Sequence, residues 1–143
     1  MNTFEINNEM NKLKCFKGTF AKDLLPYKKY SERPIGFIIN TDNSNMPGEH
    51  WVALFIDEQN NAEYFDSFGR QPICCEIYKL LKKNNVKTIL YNKHQIQSYF
   101  SINCGVYCIL YLKMRCNNFL LNEFINLFSD NLLINDETVL EIL

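Results

Sequence analysis

Only five glycines and four prolines occur in 143 residues, which excludes a collagen-like chain or a flexible, linker-rich one. No apolar run comes near the roughly 18 residues that a membrane span needs, and the opening stretch MNTFEINNEMNKLK lacks the apolar core of a signal peptide. Secretion and membrane anchoring are therefore not expected. Neither sign of charge dominates: 15 Lys and Arg against 16 Asp and Glu give a net charge of -1, without the basic excess of a typical nucleic-acid-binding domain. Lys79, Lys82, Lys83, Lys87 and Lys93 do stand close together, and the chain after Arg115 is acidic or neutral. Both stretches read as solvated faces rather than as a polyanion site. Histidine is scarce, with two residues, and no C-x-x-C pair occurs; Cys104 and Cys108 share helical spacing without further ligands, so no metal and no cofactor is expected. The six cysteines, at 15, 74, 75, 104, 108 and 116, lack the dense spacing of a secreted disulfide framework and fit a reducing compartment.

What the chain has is apolar mass. Hydrophobic residues make up 47% and aromatics 14%, enough for one core, and without an internal repeat or linker residues 1–143 read as a single domain. Asparagine, present 19 times, is scattered and reflects coding bias.

Apolar spacing in the first 15 residues (Phe4, Ile6, Met10, Leu13) suggests a helix. Residues 35–40 read as a buried strand, the polar, Pro- and Gly-containing stretch after it as a loop, and 51–66 as a β-hairpin turning at 58–61. Pro72 suits the first turn of a helix over 73–83, with Ile73, Ile77, Leu80 and Leu81 on one face. A further strand is predicted over 86–91, a buried helix over 104–115, and helices over 119–128 and 136–143. The expected fold class is α+β: a small, mainly antiparallel sheet packed on a buried central helix, with peripheral helices outside.

Three residue types capable of nucleophilic catalysis fall at element ends: His50 before one hairpin strand, Asp66 after the other, and Cys104 at the start of the buried helix. A thiol attacks carbonyls as the thiolate, which a helix N-terminus and a neighbouring imidazolium both favour. The imidazole in turn needs a carboxylate or amide to orient it, and antiparallel strands can bring His50 and Asp66 together. The oxyanion that forms on attack needs donors, which the Cys104 N–H and a side-chain amide, Gln97 or Gln95, can provide. Gly105 permits close approach of a substrate backbone. Trp51 reads as core aromatic or channel wall, Tyr107 as a second ring beside the nucleophile, and His94 as a surface histidine in a polar loop. Cys108 is expected in the core, and Cys15, Cys74 and Cys75 as spectators.

His50-Trp51, then Asp66-Ser67-Phe68-Gly69, then Gln97 seven residues before Cys104-Gly105 resemble the His-Trp, acid-x-Phe-Gly and Gln-x6-Cys-Gly signatures of adenain-like cysteine proteases. That family comprises adenovirus-type maturation proteases and relatives in virophages and Polinton-like elements, and is akin to the SUMO-specific proteases. The segment from Gly18 to Pro26 also resembles the family's N-terminal stretch. The resemblance implies His50 as general base, Asp66 as its orienter, Cys104 as nucleophile and Gln97 as the oxyanion side chain, with Trp51, Gly105 and Tyr107 at the substrate. It implies an endopeptidase that matures capsid or other virion precursors, a monomer acting in the virion or at the host-cell assembly site, for which an activating peptide or DNA is an open question. Adenoviral members usually have Glu where this chain has Asp66, as the SUMO-protease relatives have Asp. An isopeptidase acting on ubiquitin-like modifiers and a catalytically silent binding module are the competing readings.

Overall fold

The computed structural model describes residues 1–48 and 50–143. Five strands, β1 (Phe16–Ala21), β2 (Ile35–Asn40), β3 (Trp51–Ile56), β4 (Asn61–Phe65) and β5 (Thr88–Tyr91), form one sheet in that order. Five helices accompany them: α1 (Thr3–Met10), α2 (Cys75–Lys83), α3 (Cys104–Cys116), α4 (Leu121–Ile125) and α5 (Leu132–Ile142). The central pairs β2–β3 and β3–β4 are antiparallel as expected, while the edge pairs β1–β2 and β4–β5 are parallel, so the sheet is mixed.

β2 and β3 are apolar at almost every position, a pattern that suits a strand only when both of its faces are covered. Both strands are buried throughout. Ile35, Phe37, Ile39, Val52, Leu54 and Ile56 pack with Ile77, Leu80 and Leu81 of α2. Ile38, Ala53, Phe55 and Phe65 point the other way, into a core built on α3. Tyr107, Cys108, Ile109, Tyr111 and Leu112 of α3 have no exposed surface, and burying each large apolar side chain stabilises the fold by roughly 1.5–3 kcal/mol. Gly36 lets α3 approach β2 this closely, because a Cβ there would lie 2.8 Å from Leu112 Cδ2. At its C-terminal end α3 is pinned to β4 by a two-pronged Arg115–Glu63 pair, 2.9 Å at each contact, with Tyr111 Oη donating to the same carboxylate at 2.6 Å.

Several boundaries move. The first helix stops at Met10, held at its start by reciprocal Asn2–Glu5 hydrogen bonds, and the unexpected strand β1 follows. α2 begins at Cys75, two residues later than expected, which leaves Ile73 80% exposed instead of on the apolar face. Helix 119–128 shortens to α4, and helix 136–143 extends back to Leu132 because the Asn131 side chain caps it through Ile134 N. Cys15 and Cys116 form a disulfide, so the reading of Cys15 as a free spectator fails: the turn before β1 lies against the end of α3, a proximity between residues 101 apart in sequence. Cys108 is buried in the core as expected. Among the described residues, no helix is long and apolar enough to cross a membrane.

Candidate active site

The β3–β4 register ends with Ala53 opposite Phe65. Asp66 thus follows the last pair and lies beside the start of β3, where His50 precedes Trp51. The two side chains meet, His50 Nε2 to Asp66 Oδ1 at 2.7 Å, and both are buried. Cys104 is the first residue of α3, on the core side of the same strand, and Trp51 N–H donates to its Sγ at 3.5 Å. Asp66 occupies Nε2, which leaves Nδ1 of His50 for the Cys104 sulfur.

Burial works against charge at both members of this pair. For His50 it favours the neutral ring, but hydrogen bonds and charge from Asp66 and Cys104 outweigh it and raise the pKa to about 9. Burial likewise pushes the Cys104 thiol up, yet hydrogen bonds from His50 and from Trp51 N–H, the His50 charge and the Gly105 N–H bring it below its ordinary value. The start of α3 adds a favourable dipole. Both shifts run toward the thiolate–imidazolium pair and away from the neutral thiol and ring. Cys108, one turn further along α3, is pushed far up by burial and by the charges of Cys104 and Asp66, and stays a thiol.

Asp66 is held by more than its histidine. Its Oδ1 accepts from Phe68 N–H at 2.8 Å, and its carbonyl accepts from Gly69 N–H at 2.7 Å. Gly69 has φ +72, and a Cβ there would stand 2.7 Å from the His94 backbone, so the turn after Asp66 requires glycine. The Phe68 ring stacks on the His50 imidazole, centroids 4.7 Å apart and planes 18° apart, and covers one of its faces.

Asn92, just beyond β5, grips the Asp66 backbone from both sides: its Oδ1 accepts from Asp66 N–H at 2.9 Å and its Nδ2 donates to Asp66 O at 2.7 Å. Sequence reasoning missed this residue. It lies 26 positions from Asp66 in a chain rich in asparagine, and only the parallel β4–β5 pairing places it.

Gln97 is fully buried. Its backbone N–H donates to Ser67 O at 3.1 Å, its Oε1 accepts from Ser67 Oγ, and its Nε2 donates to Ser101 O at 2.9 Å. The amide is thus fixed between the Asp66 turn and the approach to α3, with a second Nε2 hydrogen to spare. Gln95 instead donates to Gln97 O at 2.9 Å, and His94 is exposed.

Trp51 is both core and wall. It is 8% exposed, its Nε1 donates to Met1 O at 3.0 Å, and it lines a cleft of about 320 Å³ with Met1, Thr19, Phe20, Asn40 and Gly48. Gly105 is buried against this wall, since a Cβ there would meet Trp51 Cδ1 at 3.3 Å and Met1 Sδ at 3.4 Å. Tyr107 does not line the site. It is fully buried, turned into the core against Phe128, with its hydroxyl on Asp136 at 2.8 Å and Ile96 O at 3.3 Å. Residues 104–112 of α3 are buried all round, so helical spacing does not tell on which side of the helix a ring sits.

No protein-family model matches the chain. The S273R protein of African swine fever virus is 33% identical over 137 residues in the Tick/Malawi isolate, where it is named a cysteine protease, covering 83% of this chain and 48% of the relative. In the Pig/Kenya isolate, 32% identical over the same shares, it is named a SUMO-1 cysteine protease. The protease of porcine adenovirus A serotype 3 is 29% identical over 68% of this chain and 54% of its own. The chain thus spans about half the length of these curated relatives. Its fold matches the crystal structure of the ASFV pS273R protease with a TM-score of 0.67, at 20% identity over 96% of this chain and 65% of that one. By sequence and by fold, the chain is a homologue of the viral cysteine proteases.

Proposed function

We propose that the chain is a cysteine endopeptidase in which Cys104 is the nucleophile, His50 the general base, Asp66 its orienter and Gln97, with the Cys104 N–H, the oxyanion donor. The observation that carries this reading is the buried His50–Asp66 contact of 2.7 Å beside a cysteine whose pKa is drawn below its ordinary value by His50 and the Trp51 N–H. In the reaction the Cys104 thiolate adds to the scissile carbonyl, and the oxyanion is held by preorganised N–H groups. The His50 imidazolium then gives its proton to the leaving amine, an acyl-thioester remains on Cys104, and water activated by His50 hydrolyses it.

The proposed substrate is a capsid or other virion precursor, in line with the adenain-like resemblance of the motifs. A glycine is favoured immediately before the cut, because Trp51 and the covered face of Gly105 leave little room beside Cys104 for a side chain on the acyl residue. The protein acts as a monomer, at the site of virus assembly or in the virion. The SUMO-1 cysteine proteases among the relatives motivate a second reading, release of a ubiquitin-like modifier from a conjugate, which uses the same catalytic residues.

Co-expression with candidate virion precursors, followed by mass spectrometry of the new termini, tests both. Cleavage of a precursor after glycine, lost in Cys104→Ala and kept in Cys108→Ala, is the expected result. Release of a modifier with no precursor cleavage transfers the assignment to the isopeptidase reading, and processing that survives Cys104→Ala in a folded protein removes the nucleophile.

A further inference from the structure

Just before the nucleophile the chain makes a turn whose tip is apolar and faces solvent. Ser101 N–H donates to Ser98 O at 3.1 Å, which puts Tyr99 and Phe100 at the tip. Tyr99 is 64% exposed, Phe100 95% and, on the descending arm, Ile102 85%. One exposed apolar side chain is ordinary; three within four residues beside a catalytic centre mark a contact surface. The turn is also firmly built. Gln97 Nε2 donates to Ser101 O at 2.9 Å and Asn103 N–H donates to Ser101 Oγ at 3.0 Å, while Gln97 and Ser98 at its base are buried. The turn is therefore held by the same glutamine to which the oxyanion role is assigned.

Of these side chains, Tyr99 is linked to the imidazole through Phe68. The Tyr99 ring lies 5.2 Å from Phe68, which stacks on His50 at 4.7 Å. The Arg70 guanidinium sits 5.0 Å from the Phe68 centroid and 5.9 Å from that of Tyr99, and ties the two rings together.

We propose that Phe68, Tyr99 and Phe100 form a subsite for the leaving half of the substrate, which takes a large apolar side chain just after the scissile bond. The proposal rests on the endopeptidase reading above. The imidazolium must hand its proton to the leaving nitrogen, so the departing chain passes the imidazole, whereas Trp51 and Gly105 flank Cys104 on the acyl side. The first surface the departing chain meets beyond His50 is Phe68, then Tyr99 and Phe100. Covering exposed rings with a Leu or Phe side chain removes apolar area from water on both partners, worth about tenfold in kcat/KM over Ala.

The test uses internally quenched peptides that share one glycine-ending acyl half, taken as the best cut in a library, and differ only in the two residues after the cut: Ala, Ser, Asp, Lys, Leu or Phe. Wild type, Tyr99→Ser and Phe100→Ser are compared, each normalised to reactive Cys104 titrated with iodoacetamide and read by peptide mapping, since Cys75 is an exposed free thiol as well. The expected result is a Leu or Phe preference of about tenfold over Ala in wild type that falls below about threefold in Phe100→Ser. A flat wild-type profile, or a preference kept intact in both serine variants, overturns the subsite and leaves the protease reading standing. If Cys104 titrates but no peptide is cut in a Cys104-dependent way, the endopeptidase reading fails and the subsite falls with it.

Discussion

Replacing Asp66 by asparagine removes one charge from the site and almost no volume. His50 rises from an ordinary 6.5 to about 9 despite its burial, a preference for the imidazolium of roughly 3 kcal/mol. Two partners supply it, the Asp66 carboxylate through its 2.7 Å hydrogen bond and its charge, and the Cys104 thiolate. If Asp66 supplies half, Asp66→Asn lowers the His50 pKa by about one unit, and the thiolate that leans on the imidazolium loses a similar amount. The signs follow directly. A less stable imidazolium makes the Cys104 thiolate less favoured, so the acid limb of its reactivity moves up by about one pH unit, and the alkaline limb of turnover moves down from near 9. Turnover falls by up to roughly tenfold on the acid side of the acid limb, well short of the complete loss in Cys104→Ala. The assay is the rate of Cys104 alkylation by iodoacetamide from about pH 4 to about pH 10, which spans the ordinary His and Cys titrations. It is read by peptide mapping because Cys75 is also an exposed free thiol. Superimposable alkylation profiles for wild type and Asp66→Asn would refute the electrostatic role and reduce Asp66 to a turn residue.

Gln97→Ala should lower kcat by roughly a hundred- to a thousand-fold while Gln95→Ala stays near neutral, and steady-state kinetics showing equal, small effects would take Gln97 out of the mechanism. Asn92→Ala frees both sides of the Asp66 backbone and should reduce kcat severalfold with KM little changed, moving the Cys104 alkylation limb in the same direction as Asp66→Asn; a lower Tm with an unmoved limb would make Asn92 structural only. Arg115→Ala leaves the largely buried Glu63 carboxylate without its cation, at a cost of about 3–5 kcal/mol in chemical denaturation; a loss below about 1 kcal/mol would contradict the pinning of α3 to β4.

Central elements were legible because their sequences are locally unambiguous. β2 and β3 could only be buried strands, and the run from Cys104 onward could only be an interior helix. What failed lay where tertiary contact overrides local pattern. β1, with Lys17, Gly18 and Thr19 among its six residues, lacks strand periodicity and exists because β2 offers a free edge. α5 hides its register because one of its buried positions is Asn135, whose amide bonds Ile96 O at 3.1 Å and Ser129 O at 2.7 Å. In the site, His50, Asp66 and Cys104 were singled out at element ends together with the adenain-like motifs, and the His50–Asp66 contact follows from the hairpin register. The orientation of Tyr107, the grip of Asn92 and the stacking of Phe68 depend on which way side chains turn, which no spacing encodes.

The disulfide has a topological consequence. Cys15 and Cys116, 101 positions apart, close the chain into a covalent ring that holds all five strands, α2, α3 and every residue assigned to chemistry, with α1 and the α4–α5 segment as two tails. In the chain-entropy account, a closure of this length limits the unfolded chain by about 5 kcal/mol. A single backbone cut in the exposed stretch 43–48 would open that ring without dividing it. The nicked molecule would run as one species until reduced, and then separate into two pieces, one carrying Cys15 and the other His50, Asp66, Gln97 and Cys104.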